Sequence, residues 1–318
     1  MYQFKNVFLV LLLTVLFLGC SPSNSTNRLG DWMKEGGKNK ILSTTAQIGD
    51  IVSEVGGERI DGWVLIQGDL DPHSYELVKG DSEKFERADA IFYNGLGLEH
   101  GAGLFTLLHS SPKAVAVGEK IRADYPNKVL KKGESIDPHI WMDVSLWSKT
   151  IDPIVAHLSQ LDPEGASYYE KRGAELVQKM DGIHEKIVHR LREIPSEKRF
   201  LVTSHDAFHY FTRSYLSDPE ETEWKRRFAA PEGLAPDGQL NPLDIQKILD
   251  FLKSNRISVL FPESNVSRDS IKKIATSGKE LGLEIRICSE SLYGDSMGGL
   301  SYLEMMQHNA EVIARHLE

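Results

Sequence analysis

The sequence predicts an α/β fold: two lobes joined by one long helix, with a binding cleft between them. Short apolar runs rich in β-branched residues alternate with helical stretches in two separate groups, as in parallel sheets covered by helices. Between the groups, residues 162–195 read as one uninterrupted amphipathic helix. His73, His139, His205 and Asp295 stand far apart in the chain, each near a polar turn or at the end of an apolar run, so only a folded protein brings them together.

Residues 1–19 hold one cationic residue, Lys5, followed by an apolar run from Val7 to Leu18 broken only by Thr14. As a helix that run measures roughly 18 Å at about 1.5 Å per residue, short of the ~30 Å hydrocarbon core, so residues 1–19 read as a signal peptide. Cys20 follows Gly19 and opens the polar stretch Ser21-Pro22-Ser23-Asn24-Ser25-Thr26. This run resembles a bacterial lipobox, although Phe17 stands where Leu is usual. Residues 20–37 are therefore the expected lipid-attachment site and linker, anchoring the chain without spanning the membrane. An ordinary secretory signal with an incidental Cys is the alternative.

The first lobe, residues 38–161, contains strand-like runs at Lys40–Thr44, Trp63–Ile66, Ala90–Tyr93 and Ala114–Val117. The connecting helix, residues 162–195, has Asp162 as its cap and Pro163 in its first turn. Its apolar stripe passes through Tyr169, Leu176, Met180, Ile183, Ile187, Leu191 and Ile194. A coiled-coil hairpin is the bland reading, but no second helix of similar length exists to pair with it. The second lobe, residues 196–318, resumes the strand rhythm at Phe200–Thr203, Ile257–Phe261 and around Ile285. It ends in an amphipathic helix from Tyr302 to Leu317 whose methionines read as core filler.

Composition narrows the partners. A net charge of −9 and a pI near 5.7 argue against nucleic acid. Of the two cysteines, a lipidated Cys20 leaves Cys288 alone, so no disulfide framework is available; Cys288 sits in a strand-like run and reads as a buried structural thiol.

Three imidazoles and one carboxylate make a complete coordination set for one divalent transition-metal ion. His73 and His139 both lie in Asp-Pro-His units, where Pro restricts the preceding Asp and disfavours helix, fixing each His in a turn. One such His is ordinarily a solvated loop residue; two identical units point to a site. His205, in Ser204-His205-Asp206, ends an apolar strand, where α/β folds place their ligands. A histidine packed beside Phe208 is its alternative. Asp295, flanked by Gly294, Gly298 and Gly299, reads equally as a turn aspartate from spacing alone. Glu263, in Phe261-Pro262-Glu263-Ser264, is expected to accept from an imidazole N–H rather than bind metal. Asn94 and Glu99 are weaker candidates for the same task.

Taken in order, Asp71-Pro72-His73-Ser74-Tyr75-Glu76, Asn94-Gly95-Leu96-Gly97-Leu98-Glu99, Asp137-Pro138-His139-Ile140-Trp141-Met142-Asp143, Thr203-Ser204-His205-Asp206-Ala207-Phe208, Phe261-Pro262-Glu263-Ser264 and Leu292-Tyr293-Gly294-Asp295-Ser296-Met297-Gly298 are six motifs. They resemble the metal-binding solute-binding proteins of ATP-binding-cassette importers of zinc, manganese and iron, over about residues 38–318. Within that family the chain resembles the three-His-plus-Asp type and its chlamydial branch. The resemblance implies two Rossmann-like lobes with the metal in the inter-lobe cleft, His73 and His139 from the first lobe, His205 and Asp295 from the second. It also implies an exported, periplasmic or extracytoplasmic monomer that delivers its ion to an ABC permease. No His-rich tract lies between Val117 and Asp137, which favours iron or manganese over zinc.

Two other classes stay open on the residues alone. A secreted zinc hydrolase could use His73, His139 and His205 with Glu263 as base, but Asp295 as a fourth ligand would close its water position. A lipid-anchored adhesin needs no metal at all. The familiar enzyme motifs are missing: there is no His-Glu-x-x-His, Gly-x-Ser-x-Gly or phosphate-loop signature, and Gly95-Leu96-Gly97-Leu98-Glu99-His100 fails as a dinucleotide loop at its third glycine. The expected protein is therefore not an enzyme.

Overall fold

The computed structural model describes residues 28–236 and 240–318. The expected signal peptide and Cys20 lie outside the described residues. Arg28–Trp32 forms a short helix in the leading unit, which ends at Lys34. The body of the protein is Glu35–Glu318. Among the described residues no helix is long and apolar enough to cross a membrane.

In the first half, strands β1 (Asn39–Ser43), β2 (Ile60–Val64), β3 (Ala90–Tyr93) and β4 (Ala114–Ala116) form one parallel sheet in the order β2-β1-β3-β4. β1 and β3 are central and buried: β3 is apolar throughout, and β1 carries the buried Ile41 and Leu42 between polar ends. β2 begins at Ile60, earlier than the apolar run Trp63–Ile66 suggests. It is an edge strand, largely half-buried, so Asp61 and Gly62 are tolerated in it. Helix Ala46–Gly56 buries Ile48, Ile51, Val52 and Val55 on one face. A side chain at Gly49 would meet the Val64 Cγ2 atom at 2.4 Å, so glycine is what lets this helix approach the sheet so closely. Strands β5 (Lys131–Lys132) and β6 (Ser135–Ile136) form a small antiparallel hairpin that no sequence periodicity marks.

The connecting helix runs Ala166–Arg192, 27 residues, or about 40 Å at ~1.5 Å per residue. Its buried stripe is Tyr169, Leu176, Met180, Ile187 and Leu191. Asp162 caps a 3-10 turn, Pro163–Gly165, ahead of the helix rather than the helix itself; its carboxylate accepts from Gly165 N–H and pairs with Arg59 at 2.7 Å.

In the second half, β7 (Leu201–Val202) pairs in parallel with β8 (Phe228–Ala229), and β9 (Val259–Leu260) with β10 (Arg286–Ile287). Phe261 N–H donates to Val202 C=O at 2.9 Å and ties β7 to β9, so the strands lie side by side as β8-β7-β9-β10. β7 and β9 are shorter than the apolar runs Phe200–Thr203 and Ile257–Phe261, and past them the chain enters the loops that hold His205 and Glu263. Helices Pro242–Ser254, capped by Asn241, and Asp269–Glu280 pack on this sheet through Ile248, Leu249, Leu252, Ile271 and Ile274. The last helix, Tyr302–Leu317, starts with a Ser301–Glu304 capping box and buries Met305 and Met306 in the core. Its Glu311 pairs with Arg190 of the connecting helix at 2.9 Å. Cys288 is buried just past β10, and burial raises its thiol pKa.

Candidate metal centre

Four loops, two from each half of the body, converge on one buried point. His73 lies in the loop after β2, where the Asp71 carboxylate accepts from His73 N–H (2.9 Å) and Ser74 Oγ–H (2.5 Å), fixing the turn that the Asp-Pro-His pattern predicts. The second Asp-Pro-His unit does more. Asp137 Oδ1 accepts from His139 N–H at 3.1 Å and lies 2.7 Å from His139 Nδ1, so one carboxylate sets both backbone and ring. His205 follows β7; Glu263 Oε1 accepts from its N–H at 2.8 Å, and Glu263 Oε2 stands 2.8 Å from its Nδ1. Asp295 is held by Asn265, whose Nδ2–H donates to Oδ2 at 3.1 Å, and its neighbour Ser296 bonds Ser264.

The result brings one donor atom from each of His73, His139, His205 and Asp295 to within 4.8 Å of the others, all four side chains buried. The His73 and His139 Nε2 atoms face each other at 3.2 Å. Asp295 Oδ2 lies 3.1 Å from His205 Nε2, and Oδ1 lies 3.4 Å from His139 Nε2. His205 Nε2 and Asp295 Oδ1 have no hydrogen-bond partner although they are fully buried. Converging lone pairs and orphaned buried donor atoms are what a cation between them would satisfy.

Electrostatics agree with that reading. Burial opposes charge on every group, and for His73 burial wins, lowering its pKa to about 3. His139 is also penalised by burial, yet Asp137 and Asp295 beside it raise its pKa to about 9. His205 is raised well above the ordinary value against the same burial, by Glu263 and Asp295. The imidazoles, His205 foremost, hold the Asp295 carboxyl well below its usual range. Without an ion, these shifts favour positive charge on His139 and His205, but not on His73, opposite Asp295. A dication supplies that charge directly, once the imidazoles release their protons.

The structure brings together all four residues singled out as ligands, and puts Glu263 beside His205 Nδ1. It corrects Asn94 and Glu99. The Glu99 carboxylate accepts from Thr44 Oγ1–H (2.7 Å), Asn94 N–H (2.8 Å) and Gly95 N–H (3.0 Å), while Asn94 Nδ2–H donates to Gly95 and Pro138 carbonyls. None of these bonds reaches an imidazole, and Asn94 Oδ1 has no partner, so both residues brace the backbone around the 94–101 loop rather than orient a ligand. Two residues in the site went unread in the sequence. Asp137, taken only as a turn former, is the carboxylate on His139 Nδ1, and its Oδ2 lies 3.4 Å from His209 Nδ1. Trp141 donates its indole N–H across the cleft to Gly294 C=O at 2.9 Å, fixing the residue before Asp295. Gly294 must be glycine there, because a Cβ would sit 2.3 Å from Glu263 Oε2 and 3.2 Å from His205 Cε1.

Residues 41–316 match the family described as ZnuA, zinc-uptake complex component A, periplasmic. The chain belongs to that family. Among ZnuA-family relatives, metal-binding protein YtgA of Chlamydia pneumoniae is 39% identical over 280 residues, covering 87% of this chain and 85% of YtgA. The manganese-binding lipoprotein MntA of Bacillus subtilis is 30% identical over 317 residues, covering 97% of both chains. The crystal structure of Fe(III)-bound YtgA from Chlamydia trachomatis superposes with a TM-score of 0.84 at 35% identity, covering 88% of this chain and 98% of that one. The periplasmic zinc-binding protein TroA of Treponema pallidum gives 0.80 at 28% identity, covering 88% and 99%. The ZnuA-family fold is thus two α/β lobes around a long helix, and the family works as metal-binding components of ABC metal transporters.

Proposed function

We propose that this chain captures one transition-metal ion outside the cytoplasm through His73, His139, His205 and Asp295 and delivers it to the membrane permease of an ABC importer. The observation that carries the reading is the convergence of three imidazole nitrogens and one carboxylate oxygen, fully buried, with two of these atoms lacking any other partner. His73 and His139 come from the half before the connecting helix and His205 and Asp295 from the half after it, which supports lobe limits near 38–161 and 196–318. Full coordination then requires both lobes.

Iron is the favoured ion, with manganese next and zinc third. Similarity to the Fe(III)-bound chlamydial YtgA supports iron, and the identity to MntA supports manganese. A carboxylate among three imidazoles suits all three metals, so availability contributes to the choice. Lipidation at Cys20 and a monomeric state complete the proposal, in keeping with relatives named as lipoproteins. We assign no catalysis. Glu263, the base a hydrolase would need, accepts from His205 N–H through Oε1 and has Oε2 2.8 Å from His205 Nδ1, facing a ligand rather than an open water position.

The test is metal analysis of the protein purified anaerobically from its native membrane, and separately aerobically because iron in the chlamydial relative is ferric. About one iron or manganese per chain supports the reading. Protein that carries none of the three metals and fails to bind any of them on titration overturns it.

A further inference from the structure

The four proposed ligands are buried, so an arriving ion must first meet something at the surface, and the chain has one imidazole placed to be met. His100 is exposed and stands beside His73, ring centroids 5.8 Å apart. That spacing lies between those of His73 to His139 (5.2 Å) and His73 to His205 (6.3 Å), the separations within the buried cluster itself. Yet His100 is not one of the four side chains whose donor atoms lie mutually within 4.8 Å. It adjoins the centre through its contact with His73, exposed where the four ligands are buried, without being part of it.

Its Nδ1 lies 3.2 Å from Gly97 C=O, and this contact holds the ring on its loop. The loop that presents it is rigid. Gly95, Leu96 and Gly97 all take left-handed backbone, and the buried Glu99 carboxylate clamps Asn94 and Gly95 N–H and Thr44 from within. This gives Glu99 a purpose distinct from orienting a ligand: it fixes the loop whose next residue is His100.

We propose that His100 and His73 form an outer, transient two-imidazole site that receives a transition-metal ion from solvent and hands it inward to the four-residue centre. The inference rests on the proposed metal-capture function, and it concerns the rate of entry rather than the final coordination. A group that stabilises only the passage lowers the barrier in both directions, so removing it slows association and dissociation alike and leaves the equilibrium unchanged.

Stopped-flow measurement of Zn(II) association, on the full-length protein in detergent and followed by tryptophan fluorescence, tests this with His100→Ala and His100→Gln, alongside His109→Ala as a control exposed histidine. The expected result is that both His100 variants lose about tenfold in association and dissociation rate with an unchanged Kd, while His109→Ala matches the parent. An unchanged association rate overturns the proposal. A faster dissociation with a weaker Kd also overturns it, because His100 would then be a ligand of the bound state. If the parent binds no zinc, manganese or iron at all, the capture function itself has failed, which is a separate outcome.

Discussion

Trp141→Phe separates the role of the inter-lobe hydrogen bond from that of the aromatic ring. Trp141 is buried, its ring lies 5.2 Å edge-on to His139, and its N–H reaches Gly294 C=O at 2.9 Å. Phenylalanine keeps most of the apolar contact but removes the donor, leaving a carbonyl at the head of the Asp295 loop without its partner. An unsatisfied buried acceptor costs about 1–3 kcal/mol, so the metal-free protein should lose stability of that order. The added consequence is specific to the site. Gly294 precedes Asp295, whose oxygens stand 3.1 and 3.4 Å from His205 and His139, so a relaxed loop no longer holds the carboxylate in place. Metal should therefore stabilise the variant less than the parent, with Kd weakened on the order of tenfold, or about 1.4 kcal/mol. Calorimetric titration with Zn(II), together with melting curves with and without metal, measures both terms. A variant that melts lower but binds zinc with the parent's Kd would refute the idea that Trp141 positions Asp295.

The pH dependence has a definite sign. The His139 pKa is raised to about 9 in the metal-free protein, so below that pH it carries a proton that a metal at Nε2 must displace. Zinc affinity should rise from pH 6.5 towards 9, with proton release detectable by calorimetry in buffers of different ionisation enthalpy; a flat profile would mean His139 is not a ligand. Gly294→Ala drives a methyl into Glu263 and His205, and should weaken zinc binding more than Trp141→Phe does, as read by competition with a chromophoric chelator. Cys20→Ala should move the protein from the membrane to the soluble fraction with its metal affinity intact, and a variant still partitioning into detergent would rule out lipid anchoring.

The sequence shows the site more clearly than the sheets. Two Asp-Pro-His units and a His at a strand end are local patterns, because proline stiffness and strand-end placement are encoded within a few residues. Asp295 depends on the family resemblance, since a turn aspartate between glycines looks the same whether or not it faces a metal. Asp137 and Trp141 escaped for a different reason. Their partners are a ring two residues on and a carbonyl 153 residues away, and side-chain direction and inter-lobe reach leave no periodic trace. Asn94 and Glu99 were misread because a buried carboxylate near a site can serve the loop backbone as readily as an imidazole. The connecting helix was plain from its stripe, although its capping aspartate belongs to the preceding turn. In the second half the strands are only two residues long, and past β7 and β9 the chain runs directly into the loops that carry His205 and Glu263.

The central claim is that three imidazoles and one carboxylate hold one ion, and X-ray absorption spectroscopy of the zinc-loaded protein tests it most directly. The expected spectrum shows nitrogen and oxygen neighbours at about 2.0–2.2 Å, with the outer-shell scattering of three imidazole rings and no sulfur. A sulfur neighbour at about 2.3 Å, or scattering from fewer than three imidazoles, would contradict it.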